Sequence, residues 1–222
     1  PPRSTSLNAL SINLHHIFKQ QCILSDLDKA IELHRAALEL RPLGHSHSSI
    51  LPSNLAVGLQ HRFQHRGVIS DLYEAIEFHQ TARVRSPLGH LHRSTSLNNL
   101  ANSLRLRFQQ RGGLFYLDES IELHRAALAL RLIGHSRRSA YLDDLAISLR
   151  DRFQHWGVLS DLDEVIELHR DALALRPLGH SDRSAALNNL ANSLRARFQQ
   201  QGIPSDLDEA IELFRAALPY RP

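Results

Sequence analysis

The chain has 222 residues, with 26 Lys and Arg interleaved among 23 Asp and Glu for a formal net charge of +3. That balance argues against a dedicated nucleic-acid binder, which would show a basic stripe or block. Apolar residues are 42% of the chain while Gly and Pro number 10 and 9, so a disordered or collagen-like polymer is excluded and a buried spine is affordable.

A fixed period organises everything else. Gly44-His45, Gly89-His90, Gly134-His135 and Gly179-His180 mark one register, and Phe18, Phe63, Phe108, Phe153 and Phe198 mark another with the same step of 45 residues. A period in this range means a stacked array in which each unit buries its faces against its neighbours. The predicted repeats are approximately 1–45, 46–90, 91–135, 136–180 and 181–222, together one domain spanning 1–222.

The first repeat begins Pro-Pro-Arg-Ser, without the apolar stretch of a signal peptide. No starting methionine is present and both ends fall on repeat boundaries, so a segment of a longer array is expected. Cys22 is the only cysteine, which excludes a disulfide within the chain and fits a reducing, cytoplasmic compartment. It occupies a slot that holds Gly67, Gly112, Gly157 and Gly202 in the other copies, where a left-handed cap should end the first helix.

In the second repeat Pro52 stands where Leu97, Leu142 and Leu187 stand, and should delay or kink the start of its helix. In the third, Phe115-Tyr116 replaces the Ser-Asp of the other turns and Leu132 replaces the linker proline. The fourth ends in Arg176-Pro177-Leu178-Gly179-His180-Ser181, where Pro177 stops a helix, Gly179 turns the chain and Ser181 suits an N-cap.

The fifth shows the helix pair most plainly. Leu187, Leu190, Ala191, Leu194 and Phe198 form one apolar stripe at helical spacing, and Leu207, Ala210, Ile211, Phe214, Ala217 and Leu218 form a second. Between them Asp206 is expected to cap the second helix, with Glu209 completing a capping box. Pro219 should shorten that helix. No apolar run approaches the roughly 20 residues of a membrane span.

These residues resemble a tetratricopeptide repeat (TPR). Its second-helix signature is matched by Ala210, Phe214, Ala217 and Pro222, and in other copies by Ala30, His34, Ala37, Pro42 and by Ala75, His79, Ala82, Pro87. The third and fourth copies read Ser120, His124, Ala127 and Val165, His169, Ala172, Pro177. The run from Leu178 to Ala191 resembles the long variant of kinesin light chains. The Arg-Phe-Gln and Ser-Asp-Leu-Asp-Glu-Ala-Ile-Glu-Leu runs resemble arrays of basidiomycete fungi, often joined to a CHAT domain (a caspase-like peptidase fold). The resemblance implies an all-α, right-handed superhelical solenoid of five antiparallel helix pairs, with no cofactor and no catalysis of its own.

It also implies that first helices line a concave groove. Helical spacing then puts Asn188, Asn192 and Arg195 on that face, with Asn98, Asn102 and Arg105, Asp143, Ile147 and Arg150, Ser53, Val57 and Gln60, and Asn8, Ile12 and His15 as counterparts. Asn99 and Asn189 lie at its edge. Asn can hydrogen-bond a peptide backbone, and Arg can pair with carboxylates. The expected partner is an extended, somewhat acidic protein segment, without nucleic acid or membrane, and with self-association through the end repeats as an addition. The competing reading is a solvated helix face kept by duplication.

Other signals weigh less. His34, His79, His124 and His169 hold the slot of Phe214, which predicts a partly buried packing role; a repeat apart, they cannot share a metal ion. His45 with His47, His90 with His92, and His61 with His65 each lack a third ligand. Arg62, Arg107, Arg152 and Arg197, with Glu32, Glu77, Glu122, Glu167 and Glu212, are expected in inter-helix ion pairs of about 0–1 kcal/mol each. Cys22 near His15 or His16 lacks an oxyanion hole. A regulatory array serving a CHAT-type peptidase, with its chemistry outside this segment, is the alternative function. Single-stranded RNA binding would need aromatics on the groove face, and Phe and Tyr hold core or loop slots instead.

Overall fold

Each first helix ends where its left-handed residue stands. Gly67, Gly112, Gly157 and Gly202 have φ of 70°, 70°, 68° and 68°, and each amide donates to the carbonyl of the Phe four residues earlier at 2.7–2.8 Å. Cys22 adopts the same conformation at φ 57° and donates to the Phe18 carbonyl at 2.7 Å. Two residues later the next helix starts, so successive helices are antiparallel.

The computed structural model describes residues 3–40, 49–86, 91–131 and 135–218. Among these are ten helices: α1 (Arg3–Gln21), α2 (Leu24–Glu39), α3 (Ile50–Arg66), α4 (Ile69–Arg85), α5 (Leu91–Arg111), α6 (Leu114–Ala129), α7 (Arg138–Trp156), α8 (Leu159–Ala174), α9 (Arg183–Gln201) and α10 (Pro204–Ala217). The Gly44-His45 and Gly89-His90 markers, Gly134, His47, Leu132, and Pro42, Pro87, Pro219 and Pro222 lie outside the described residues. None of the helices is long and apolar enough to cross a membrane.

The chain divides into two compact units, Pro1–Tyr116 and Leu117–Pro222. In the first, α1 packs on α2, α2 on α3, α3 on α4 and α4 on α5, while α1 touches α3 and α3 touches α5. Phe18, Leu27, Ile31, Leu55, Ala56, Leu59 and Ala75 form its central cluster. In the second, α7 packs on α8, α8 on α9 and α9 on α10. Ile166, Leu190, Ala191, Leu194 and Ala210 form a cluster there. A fully buried leucine contributes roughly 1.5–3 kcal/mol, so these seams hold the repeats together.

Polar side chains then set the register between repeats. Arg62 grips Asp71 of its own pair with two bonds of 2.7 and 2.8 Å and reaches Asp28 of the preceding pair at 3.4 Å. Arg152 repeats this with Asp161 and Asp118, and Arg197 with Asp206 and Asp163. Hydrogen bonding to these aspartates raises the pKa of all three guanidinium groups. A second row runs along the second helices: Arg35 to Glu74 at 2.6 Å, Arg125 to Glu164 at 2.7 Å and Arg170 to Glu209 at 2.8 Å.

Several expectations need correction. Asp206 does not cap α10. That helix starts at Pro204 after the extended Ile203, and the Asp206 carboxylate is held by Arg197, whose hydrogen bonds lower its pKa. Ser181 is not the N-cap of α9 either; Asp182 holds that place without a side-chain cap bond. Of the arginines before the marker Phe, Arg62, Arg152 and Arg197 pair with aspartates, whereas Glu122, Glu167 and Glu212 pair three residues along their own helices with Arg125, Arg170 and Arg215. Pro52 does delay its helix. α3 starts at Ile50, two register positions later than α7 and α9, and the missing Pro52 amide falls in the first turn, where no helical acceptor is needed.

His34, His79, His124 and His169 are buried fully rather than partly, at 2% exposure or less. His34 meets Ser11 Oγ at 2.9 Å and His169 meets Ser193 Oγ at 3.0 Å. Neither ring nitrogen of His79 has a hydrogen-bond partner among the described residues. The serine in its register, Ser103, donates to Gln60 Oε1 instead, at 3.1 Å.

Candidate first-helix groove

The linker geometry positions the first helices. Arg93, Arg138 and Arg183, each at or near the start of a first helix, reach back to the final carbonyls of the second helix before it. Arg93 donates to the Ser86 carbonyl at 3.2 Å, Arg138 to those of Leu128 and Arg131, and Arg183 to that of Arg176. A cation at a helix C-terminus is favourable, so this contact both ends one helix and aims the next.

In the first unit the successive contacts of α1, α3 and α5 place their free faces side by side. Asn8 is half-buried and accepts from Asn54 Nδ2 at 3.2 Å, which ties α1 to α3. Asn98 is buried, while Asn99, Asn102 and Arg105 are half-buried along α5. A cavity of about 220 Å³ opens on α1 and α3, lined by Ile12, His15, His16, Lys19, His34, Asn54 and Val57. His15 Nε2 and His61 Nδ1 lie 2.6 Å apart across the same two helices. Burial, with Lys19 nearby, lowers His15 to about 4; burial and the charge of His15 lower His61 and His34 to about 4 as well. All three are neutral at pH 7. Positive charge at this cavity comes from Lys19.

In the second unit Arg150 of α7 joins Asn192 and Arg195 of α9 around a cavity of about 260 Å³ that also touches Gln154, Ser193 and Gln199. No acidic side chain lines it. Asn192 Nδ2 donates to the Asn188 carbonyl at 2.8 Å, and Arg195 donates to Asn192 Oδ1 at 3.2 Å. Asn188 Nδ2 donates to the Ser184 carbonyl at 2.9 Å. Each of these amides retains a second hydrogen. Ile147, Asn188 and Asn189 are half-buried. Asp143 is turned to a structural use: it pairs with Arg176, whose side chain is 5% exposed.

Three features escaped the sequence reading. The His15–His61 contact joins residues 46 apart, one more than the period, so aligning copies hides it. Lys19 was missed because no other copy has a lysine in that register. The buried linker arginines Arg131 and Arg176 look like exposed loop residues, yet they recur one repeat apart beside Arg138 and Arg183, and that spacing was the available signal. Among the described residues no group of three or more His, Cys, Asp or Glu is arranged to hold a metal ion.

No protein-family model and no curated protein matches the chain. Solved structures do. The chain is similar to a Podospora anserina protein of kinesin-light-chain type with nearly identical TPR-like repeats, with a TM-score of 0.65 at 19% identity over 100% of both chains. It is similar to BtubC (BKLC) from P. vanneervenii at TM-score 0.60 and 20% identity, covering 99% of this chain and 92% of that one. YrrB, a TPR protein with an unusual peptide-binding site, matches at TM-score 0.53 and 16% identity, covering 91% and 84%. These likenesses show the fold: an all-helical, TPR-like array of paired helices.

Proposed function

We propose that the chain is a non-catalytic protein-interaction scaffold that holds an extended, acidic peptide along the exposed face of its first helices. The observation that carries this is the Arg150, Asn192 and Arg195 cavity, where two guanidinium groups and an amide converge from two helices with no carboxylate beside them. Arginine forks suit carboxylates, and amides suit a peptide backbone. The cavity on α1 and α3 adds Lys19 beside apolar Ile12 and Val57. In each unit, an acidic segment fits the basic cavity, with small apolar side chains beside Ile12 and Val57 in the first. Recognition by such a face needs no cofactor, nucleic acid or membrane, and the lone Cys22 suits cytoplasmic work. The alternative, a regulatory array for a CHAT-type peptidase, rests on the Arg-Phe-Gln and Ser-Asp-Leu-Asp-Glu resemblance alone. The parent reading frame would decide it.

Isothermal titration with an extended Glu-rich peptide tests the groove. Arg150→Gln with Arg195→Gln should weaken binding at least tenfold, as should Asn102→Ala with Asn192→Ala. Unchanged affinity in both double variants removes the groove assignment.

A further inference from the structure

The joint between α4 and α5 breaks the charge pattern of its counterparts. In three other joints the arginine before the marker Phe holds two aspartates: Arg62 holds Asp71 and Asp28, Arg152 holds Asp161 and Asp118, and Arg197 holds Asp206 and Asp163. Arg107 stands in that register, but Tyr116 and Tyr73 fill the two aspartate positions. One turn further along α5, Arg111 stands in the register of Arg66, which also reaches Asp28. This joint has kept both cations and lost both carboxylates.

Its aromatic contacts leave the two charges uncompensated. The guanidinium carbons of Arg107 and Arg111 lie 5.0 and 5.5 Å from the ring centroid of Tyr73. A ring attracts a cation but carries no net charge to neutralise it. Among the described residues neither arginine has a hydrogen bond or a carboxylate partner, and Arg107 Nε is buried without one. The carboxylates beside the tyrosines in sequence are already engaged, Asp71 by Arg62, Glu74 by Arg35 and Asp118 by Arg152.

The second repeat shows how an anion sits on such a pair. Arg62 Nη1 and Arg66 Nη1, one helical turn apart, both donate to Asp28 Oδ1, at 3.4 and 3.2 Å. Arg107 and Arg111 have the same spacing on α5, so one anionic oxygen can bridge them. The two lost carboxylates leave a deficit of two charges. A phosphate monoester carries about −1.5 to −2 at pH 7 and suits guanidinium forks, whereas a single carboxylate brings one charge. Beside the arginines, Phe115 replaces the serine of the other copies and is 70% exposed, with its ring 5.7 Å from that of Tyr116. An exposed aromatic next to an anion site suits a phosphate carried on a protein segment with an apolar neighbour.

We propose that Arg107 and Arg111 form a docking site for a phosphorylated segment of a partner protein, with the phosphate bridging the two guanidinium groups and an apolar residue of the segment resting on Phe115. This goes beyond the groove reading and uses none of its residues.

Fluorescence anisotropy tests it with labelled Leu-Ser-Leu peptides flanked by glycines, the serine unmodified, phosphorylated or replaced by glutamate. The phosphorylated peptide should bind the full chain at least tenfold more tightly than either of the others. Arg111→Gln, at an exposed position, should remove most of that preference. Tyr73→Asp with Tyr116→Asp should remove it too, by returning resident carboxylates to both arginines. Arg170→Gln with Arg215→Gln makes the same change in net charge elsewhere and should leave it in place. Equal binding of the phosphorylated and glutamate peptides overturns the proposal, as does a preference that survives Arg111→Gln. Free phosphoserine competing as well as the phosphorylated peptide overturns the protein partner. The Arg111→Gln result stands even if the double tyrosine variant misfolds.

Discussion

The guanidinium carbon of Arg107 lies 4.0 Å from the ring centroid of Tyr116 and 5.0 Å from that of Tyr73. These tyrosines stand in the registers of Asp71 and Asp28, the two carboxylates around Arg62. One joint in the first unit has thus exchanged both anions for aromatic faces while keeping the cation. A cation–π contact contributes about 0.5–2 kcal/mol and, unlike an exposed ion pair, depends little on screening. A double-mutant cycle of Arg107→Ala with Tyr116→Leu should give a coupling of about 1 kcal/mol. That coupling should change little between about 0.05 and 1 M salt, while the cycle of Arg170→Ala with Glu209→Ala, whose side chains are 41% and 40% exposed, shrinks. Equal salt sensitivity in the two cycles would refute the distinction.

Cys22 is the one described residue other than glycine with positive φ. A side chain there opposes the following carbonyl at about 1–2 kcal/mol, offset by the roughly 0.5–1 kcal/mol of extra unfolded-state freedom that glycine brings. Cys22→Gly should therefore raise stability by up to about 1 kcal/mol in urea denaturation. Gly67→Ala should lower it, since the site is open in space and the whole effect comes from φ of 70°.

Both the period and the left-handed glycines were legible because they are local: each acts through its own backbone and recurs in register. The Leu, Ala and Phe slots followed from helical spacing for the same reason. Side-chain partners were less legible. Nothing in Ser205-Asp206-Leu207 says whether Asp206 caps its own helix or accepts from Arg197, nine residues earlier; the helix start at Pro204 decides it. Asp143 sits on the predicted groove face by angle, but a buried linker arginine draws it aside. Angles on one helix locate a residue without revealing what the neighbouring segment brings to it.

His79 should make stability pH-dependent. Burial lowers its pKa from 6.5 to about 3, so the folded chain leaves it neutral where the unfolded chain already binds a proton. Acidification below about pH 6.5 then favours unfolding by up to about 1.4 kcal/mol per pH unit for this one group until the folded pKa is reached. His15, His34, His61 and His169, each lowered to about 4 chiefly by burial, act in the same direction. Phe214 occupies this register in the last repeat, so His79→Phe is the fitting substitution. Between pH 8 and pH 5 the variant should lose about 2 kcal/mol less stability than the unmodified chain. Parallel stability–pH curves for the two proteins would show that His79 is not a source of the dependence.

Asp143 and Arg176 allow the groove role and the structural role to be separated. Arg176 is buried at the end of its helix, its last carbonyl is held by Arg183, and its charge is met by Asp143. Removing the carboxylate alone leaves a buried cation without its partner, which costs about 3–5 kcal/mol in comparable pairs. Asp143→Ala should therefore destabilise the second unit by an amount of that order. Adding Arg176→Leu removes the stranded charge and supplies apolar volume in its place, so the double variant should recover most of the loss, to within about 1–2 kcal/mol of the unmodified chain. If Asp143 served only the groove, Asp143→Ala would leave the denaturation midpoint in place, and Arg176→Leu would not rescue it. Urea denaturation of the three proteins followed by circular dichroism separates the outcomes. Titration of the acidic peptide into the double variant then reads the groove alone: with one carboxylate gone from its edge and the fold intact, affinity for an acidic segment should be unchanged or higher.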